Sequence, residues 1–169
     1  MQMQTLNDLF EHEIADLYSA EKQLVEALPK MASAASDEKL RKAFEHHLEE
    51  TRGHLNRVKE ALGELGVANP TEVCKGMQGL IAEGEETIQM GGDPMASDAA
   101  LIAAAQRVEH YEIAAYGSAR QLADDCGFDG IKDLMDQTLD EESQADKLLT
   151  KIATGGMFKA GVNQQATTE

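Results

Sequence analysis

The chain has 169 residues, with 31 acidic and 15 basic side chains and a formal net charge of −16. This length suits one domain with a sizeable core. No apolar stretch approaches the ~18 residues that a membrane-spanning helix needs, which argues against an integral membrane protein. Because an acidic surface repels phosphate groups, we expect no nucleic-acid partner and no membrane association.

The composition favours helices over sheets. Aromatic residues make up 4% of the chain, and it contains three prolines and no tryptophan. Sparse aromatic and β-branched residues argue against a β-sheet. The N-terminus has no basic segment followed by an apolar run, which predicts a cytoplasmic protein. Cys74 and Cys126 form no CxxC motif and are expected to be reduced thiols.

The first two predicted helices form a hairpin. The first starts near Thr5 or Asn7 and carries apolar residues at helical spacing. These are Leu6, Leu9, Phe10, Ile14, Leu17, Leu24, Val25 and Leu28. Pro29 has no amide hydrogen to donate and is expected to kink or end this helix. Ser36-Asp37-Glu38 then predicts the N-terminus of the second helix, which is expected to end near Gly63 or Gly66.

Three more helices are predicted after this hairpin. Pro70-Thr71-Glu72 is expected to open a short helix that runs to about Met90. Ser97-Asp98 predicts the cap of a long helix over residues 99–125, and the last helix is expected over residues 129–153.

The connections between the four long helices indicate their arrangement. Short loops join the first helix to the second and the third to the fourth, whereas roughly thirty residues separate the second from the third. Two hairpins joined by one long crossover are typical of a ferritin-like four-helix bundle. We therefore predict an all-α, ferritin-like domain over residues 1–155, with an extra short helix in the crossover. The polar tail, residues 156–169, is expected to be disordered.

An internal repeat relates the two predicted hairpins. Residues 49–55, EETRGHL, align without a gap with residues 141–147, EESQADK. In each half, one more Glu lies upstream on the first helix of the hairpin, as Glu21 and Glu112. The pattern indicates that a helix–loop–helix unit with an inward-facing Glu on each arm has been duplicated.

Acidic side chains on the inner helix faces predict a site for two metal ions. Buried carboxylates that lie close together repel each other unless they are protonated or bound to metal. Divalent cations take carboxylate oxygen and imidazole nitrogen as ligands. We expect two divalent ions, with iron favoured over manganese or zinc. The candidate carboxylate ligands are Glu21 with Glu50 in one half-site, and Glu109, Glu112, Glu142 and Asp146 in the other.

Two histidines compete for the role of nitrogen ligand. His54 lies one helical turn after Glu50, and the repeat pairs it with Asp146, which favours His54. His47 lies three residues before Glu50 on the same face, but the repeat pairs it with Leu139. His46 is expected at the surface. Three tyrosines are candidates for hydrogen bonds to the ligands, but core packing is favoured for each of them: Tyr18, Tyr111 and Tyr116.

Four segments of the chain carry a family pattern. They are residues 17–24 (LYSAEKQL), 47–51 (HLEET), 99–116 (AALIAAAQRVEHYEIAAY) and 139–142 (LDEE). The chain resembles the YciF/YciE-like bacterial stress-response proteins of the ferritin-like superfamily. This resemblance implies a homodimer with a dinuclear metal site. Five candidate carboxylates, all but Asp146, fall on matched positions, and so does His47, which the resemblance therefore favours over His54.

Two functions fit these expectations. In the first, a di-iron or di-manganese site reacts with peroxide or O2; the absence of a CxxC pair means that no rubredoxin-type electron donor is attached. In the second, the protein binds metal without catalysis, as a structural or interaction dimer. A storage cage is disfavoured because the resemblance implies a dimer. DNA protection is disfavoured because the tail has no Lys after Lys159 and the net charge is negative.

Overall fold

The computed structural model describes residues 3–156 and 159–167, and most of these residues are helical. The helices are α1 (Leu6–Ala34), α2 (Glu38–Glu64), α3 (Lys75–Met90), α4 (Pro94–Cys126), α5 (Asp129–Thr154) and α6 (Val162–Gln165). Two short strands, β1 (Gly155–Gly156) and β2 (Lys159–Ala160), pair antiparallel after α5. The predicted all-α class is confirmed.

Helices α1, α2, α4 and α5 form a four-helix bundle of two hairpins. Helix α1 packs against α2 and α4, and α5 packs against α4 and α2. Helix α3 belongs to the long crossover and lies across α1 and α4. This is the ferritin-like arrangement that the loop lengths predict.

Two apolar clusters fill the bundle, one toward each end. One contains Phe10, Ile14, Leu17, Val58, Leu62, Ile131 and Met135. The other contains Leu24, Leu28, Leu40, Phe44, Leu101, Ile102, Leu149 and Ile152. The apolar stripe of α1 passes from the first cluster to the second through Glu21, which is fully buried. The stripe of α5 changes clusters in the same way at Glu142. A polar layer therefore separates the clusters.

Side-chain caps explain where several helices begin. The Thr5 hydroxyl accepts from the Asp8 amide while the Asp8 carboxylate accepts from the Thr5 amide, which is a capping box. Asp37 caps α2, as predicted, by accepting from the amides of Lys39 and Leu40. Helix α4 ends at Gly127, whose φ of 80° is the left-handed geometry that glycine adopts without strain.

Two predicted helix starts are wrong, and Pro29 does not end the first helix. Helix α1 continues through Pro29 to Ala34. Helix α3 begins at Lys75 rather than Pro70, because hydrogen bonds to α1 hold the backbone of its N-cap, Cys74. Helix α4 begins at Pro94 rather than Ala99, with Asp93 as its cap.

Asp98 has a tertiary role instead of the predicted capping role. It is fully buried within α4, and its carboxylate accepts from the amides of Ser36 at 2.9 Å and Asp37 at 2.6 Å. One side chain thus holds the loop between α1 and α2 against α4.

The tail, residues 156–169, is predicted to be disordered, and in the structure part of it packs against the bundle. Val162 at the start of α6 is 2% exposed and packs into the second apolar cluster. Residues 157–158 and 168–169, which the same prediction covers, lie outside the described residues. Among the helices of the described residues, none combines the length and apolar character that crossing a lipid bilayer requires.

Candidate metal centre

Six buried side chains make up the polar layer between the apolar clusters. They are Glu21 of α1, His47 and His54 of α2, Glu109 and Glu112 of α4, and Glu142 of α5. None is more than 5% exposed. All six are among the residues that sequence analysis selected, so the fold brings together ligand types from four helices.

The first group in this layer contains four residues. One ligand atom from each of His47, Glu109, Glu112 and Glu142 lies within 4.8 Å of the others. His47 Nε2 is 3.5 Å from Glu109 Oε1 and 3.6 Å from Glu142 Oε2. These separations suit atoms that surround a common ion and are too long for good direct hydrogen bonds.

The second group contains Glu21, His54 and Glu142, again with ligand atoms within 4.8 Å of one another. His54 Nδ1 is 3.6 Å from Glu21 Oε1 and 2.8 Å from Glu142 Oε1. The short contact to Glu142 is an ion pair without hydrogen-bond alignment. Because Glu142 belongs to both groups, its two oxygens can each face a different ion, as a bridging carboxylate does.

Side chains outside the two groups orient His54. Its Nε2 is 2.9 Å from Glu141 Oε2, which leaves Nδ1 facing the second group. Glu141 also accepts from Arg57, and Arg57 Nε donates to Thr138 Oγ1 at 2.8 Å. A carboxylate behind an imidazole is the usual device that fixes the ring of a metal-binding histidine. These contacts were not predicted, since they join α2 to α5 and depend on how the two helices pack, not on spacing along one helix.

Tyr116 packs in the core, as favoured, and also makes the hydrogen bond to a candidate ligand that was the alternative. Its hydroxyl donates a hydrogen bond to Glu21 Oε1, and the side chain is fully buried. Tyr111 has no such role, because its hydroxyl donates to Asp16 at 3.0 Å and lies 2.9 Å from Cys74 Sγ.

Unsatisfied polar atoms are concentrated in this layer. Within the described residues, eight buried side-chain nitrogen or oxygen atoms have no hydrogen-bond partner, and all eight belong to the six layer residues. Both oxygens of Glu112 and both of Glu142 are among them. Buried polar atoms normally find partners, so a group of unpartnered ones calls for an explanation such as a bound ion.

The titration of the layer reflects the same crowding. Burial raises the pKa of Glu109 and of Glu112 well above the ordinary value of 4.5. For the histidines, burial favours the neutral ring, but facing carboxylates outweigh it: the pKa of His47 rises to about 9 and that of His54 to about 10. Burial also opposes the ionisation of Glu142, yet contact with His54 and His47 holds the pKa of Glu142 below its usual range. The metal-free layer therefore retains protons at neutral pH.

Glu50 and Asp146 lie outside both groups. Glu50 is 26% exposed, 3.4 Å from His47 Nδ1 and 3.3 Å from His46 Nε2. The hydrogen bond from His47 lowers the pKa of Glu50 below 4.5. Asp146 is 22% exposed and instead accepts from Gln106 at 3.0 Å, with His110 Nε2 at 3.3 Å.

The predicted half-sites are therefore grouped differently in the structure. Each group has its own imidazole, where sequence analysis treated His47 and His54 as alternatives. Seven residues separate them, so they lie within about 20° of each other around α2, whereas Glu50 is rotated about 60° from His47. The seven-residue spacing was the signal that both histidines face inward. Asp146 is rotated about 40° from Glu142, which turns it toward α4.

Two cavities reach the layer at Glu109. One of about 240 Å³ lies between α2 and α5 and is lined by both polar and apolar side chains, among them His46, His47 and Glu50. The other, of about 40 Å³, lies between α1, α3 and α4, and its walls are mainly aliphatic.

Comparisons with known proteins give a consistent result. A family model described as a domain of unknown function, DUF892, matches residues 5–167. The chain is 44% identical over 165 residues to protein YciF of Escherichia coli K12, covering 97% of this chain and 99% of that protein. The crystal structure of the E. coli stress protein YciF has a TM-score of 0.87 at 42% identity, covering 98% of this chain and 100% of that one. YcfI from Rhodopseudomonas palustris has a TM-score of 0.87 at 38% identity, covering 90% of this chain and 97% of that one.

Proposed function

This chain belongs to the DUF892 family, and from that premise we propose that it is a ferritin-like stress-response protein that binds two divalent metal ions in its polar layer. Membership confirms the YciF/YciE-like resemblance of the sequence motifs. The stress role comes from the description of the E. coli protein, whereas the metal-binding role is argued from the layer itself.

The unpartnered atoms of the layer carry the proposal. Eight buried nitrogen and oxygen atoms have no hydrogen-bond partner within the described residues, and all of them belong to Glu or His, residue types that commonly bind metals. Leaving a buried donor or acceptor unsatisfied costs roughly 1–3 kcal/mol, and more for a charged group. A bound cation satisfies these atoms at once, which makes metal binding the simplest account of why the layer exists.

The charge of the layer favours two ions over one. Four carboxylates, those of Glu21, Glu109, Glu112 and Glu142, carry four negative charges when ionised. Two divalent ions balance that charge, with His47 and His54 bound as neutral imidazoles. Glu142 would be a ligand of both ions, and each ion would have a carboxylate-rich set with one nitrogen, which suits iron or manganese and also permits zinc.

We propose peroxide or O2 as the reactant of this centre. Iron or manganese, when bound, supplies the electrons that reduce such an oxidant. The protein holds the ligands in place through the Glu141 contact behind His54 and through the Tyr116 hydroxyl on Glu21. Tyr116 can hold a proton at Glu21 Oε1, and the apolar clusters on both sides limit the access of water.

The test of this proposal is peroxide consumption by the metal-loaded protein. Metal-free protein is loaded with Fe²⁺ without oxygen, and loss of H2O2 is followed against an equal concentration of free iron. We expect faster consumption by the protein, and consumption no faster than that of the free iron when Glu142→Gln replaces the wild type. If wild-type protein is no faster than free iron, the catalytic proposal fails.

A non-catalytic role is the alternative, and one observation favours it. The polar layer interrupts the apolar core of the bundle, so metal binding would itself stabilise the fold. Under this reading, removing metal lowers the melting temperature, while peroxide consumption stays at the level of free iron. Measuring both properties on one preparation separates the two roles.

We also propose that the protein is a homodimer. Exposed large hydrophobic residues could contribute to an interface; among the described residues these are Met3, Leu6, Val73, Met90 and Leu148. Light scattering at several concentrations tests the proposal, and a mass of one chain at every concentration would contradict it.

A further inference from the structure

The cavity between α2 and α5 connects the surface with the polar layer. Its volume is about 240 Å³. At its outer side lies His46, whose side chain is 69% exposed. His47 and Glu109, buried to more than nine-tenths, also line it, and each has an unpartnered atom, Nε2 and Oε2 respectively. The cavity therefore connects an exposed histidine with buried ligand atoms that lack hydrogen-bond partners.

Glu50 lies between the exposed and the buried ends of this cavity. Its Oε1 is 3.3 Å from His46 Nε2, and its Oε2 is 3.4 Å from His47 Nδ1. His47 in turn lies 3.5 Å from Glu109. A continuous series of oxygen and nitrogen ligands thus runs from the surface to the first group of the layer, and Glu50 is the carboxylate in the middle.

The other cavity at Glu109 is unsuited to a cation. Its walls include Leu24, Leu28, Ile81, Ala105 and Val108, and its volume is about 40 Å³. Apart from Glu109, its one carboxylate is Glu85, which is paired with Lys30 at 2.6 Å. A divalent ion that passes the aliphatic walls loses water ligands without gaining others. Of the two cavities that reach Glu109, the one at Glu50 offers both carboxylate and imidazole ligands along its length.

We propose that Glu50 and His46 form a transit site, which takes a divalent cation from solvent and passes it to His47 and Glu109. The inference rests on the proposed metal-binding function and explains why Glu50 lies close to the layer but outside both ligand groups. Since it delivers the ion and does not hold it, Glu50 affects the rate of loading and not the final occupancy.

Co²⁺ uptake by metal-free protein tests this role. Co²⁺ changes its visible absorption when carboxylate and imidazole ligands replace water, so stopped-flow absorbance gives the rate of loading. Equilibrium dialysis gives the final number of ions per chain. We expect Glu50→Gln to load about tenfold more slowly than wild type and to reach the same final stoichiometry. The neighbouring Glu49→Gln is the matched control, because it removes the same charge from an exposed side chain, 66% exposed, outside the cavity.

Four results would overturn the proposal in distinguishable ways. If Glu50→Gln loads at the wild-type rate, Glu50 has no transit role. If Glu49→Gln is slowed as much as Glu50→Gln, the effect is one of general charge and not specific to Glu50. A lower final stoichiometry shows that Glu50 is a ligand of the centre. Failure of wild-type protein to bind Co²⁺ defeats the proposed function as well. The second test is His46→Gln, which changes an exposed side chain and should leave the fold intact. This variant should also load more slowly and reach the same final stoichiometry.

Discussion

Glu142 is the residue on which the proposed centre depends most. It is fully buried, it belongs to both ligand groups, and neither of its oxygens has a hydrogen-bond partner. Glu21 belongs to the second group alone. The two residues should therefore differ in how many ions their loss affects.

We predict that Glu142→Gln abolishes the binding of both ions, whereas Glu21→Gln retains one. The physical reason is that the substitution of Glu142 removes a charge facing both ions, while Glu21 faces one. Metal titration followed by elemental analysis measures the difference. Asp140→Asn, an exposed acid of the same helix, should still bind two ions. Equal stoichiometry of Glu142→Gln and Glu21→Gln would contradict the shared role.

The histidines predict how the stability of the metal-free protein depends on pH. Both folded-state pKa values are raised from 6.5, to about 9 for His47 and about 10 for His54. A raised pKa gives stability that is complete below the unfolded value and is lost as pH rises through the folded value. The free energy of unfolding should thus fall between about pH 6.5 and 9, by about 1.4 kcal/mol per pH unit for each proton that the folded state retains.

Glu109 and Glu112 act in the same direction, because the pKa of each is raised by burial. Urea unfolding in the presence of a chelator, at several pH values, checks the prediction. Metal-loaded protein is the control, since the ions replace the protons and should remove most of this loss. A metal-free protein equally stable at pH 6.5 and pH 9 would show that the layer is not protonated as described.

At the residue scale, the residues selected from the sequence include all six layer residues and two others, Glu50 and Asp146, that lie outside both groups. Glu50 and Asp146 were selected because they lie near the inner face and match the repeat. Helix geometry rotates both toward the edge of that face, where they find solvent or polar partners. Partners on other helices, such as Glu141 for His54, follow from packing and cannot be read from spacing along one helix.

At the scale of elements, Asp98 connects two parts of the chain that are distant in sequence. Its buried carboxylate accepts two backbone amides from the loop between α1 and α2. Asp93 performs a similar local task for α4, but its side chain is exposed. Comparing Asp98 with Asp93 therefore distinguishes the stability that tertiary hydrogen bonds contribute from that of an ordinary helix cap.

We predict that Asp98→Asn lowers the free energy of unfolding by about 1–3 kcal/mol, because an amide offers one acceptor where the carboxylate offers two. Asp93→Asn should cost at most a few tenths of a kcal/mol, since Asn and Asp are nearly equal as N-caps. Urea unfolding of both metal-free variants measures the difference. Equal effects would show that the Asp98 contacts stabilise the fold no more than a surface cap does.

The start of α2 was predictable from its cap, whereas the start of α4 was misplaced because Asp98 carries a cap pattern but has a tertiary role. Asp37 bonds to amides two and three residues ahead, as its sequence pattern indicates. Asp98 matches the same pattern but bonds to another hairpin. Cys74 was not expected to begin a helix, and it does so because Ser19 and Gln23 of α1 fix its backbone.

At the scale of the whole molecule, the bundle followed from helical periodicity and loop lengths. Those features describe the two hairpins and the long crossover, and the structure shows both. The docking of α6 was not predictable, because a tail with one buried Val162 has too little apolar pattern to distinguish it from disorder. Its burial depends on a surface that only the assembled bundle presents.

The number of metal ions that the polar layer binds is the most direct test of its proposed role. An anaerobic titration of metal-free protein with Fe²⁺ or Mn²⁺, followed by removal of free ions and elemental analysis, measures this number directly. We predict two ions per chain for the wild type and none for Glu142→Gln. A wild-type chain that retains no metal after this treatment, although it is folded, would contradict it.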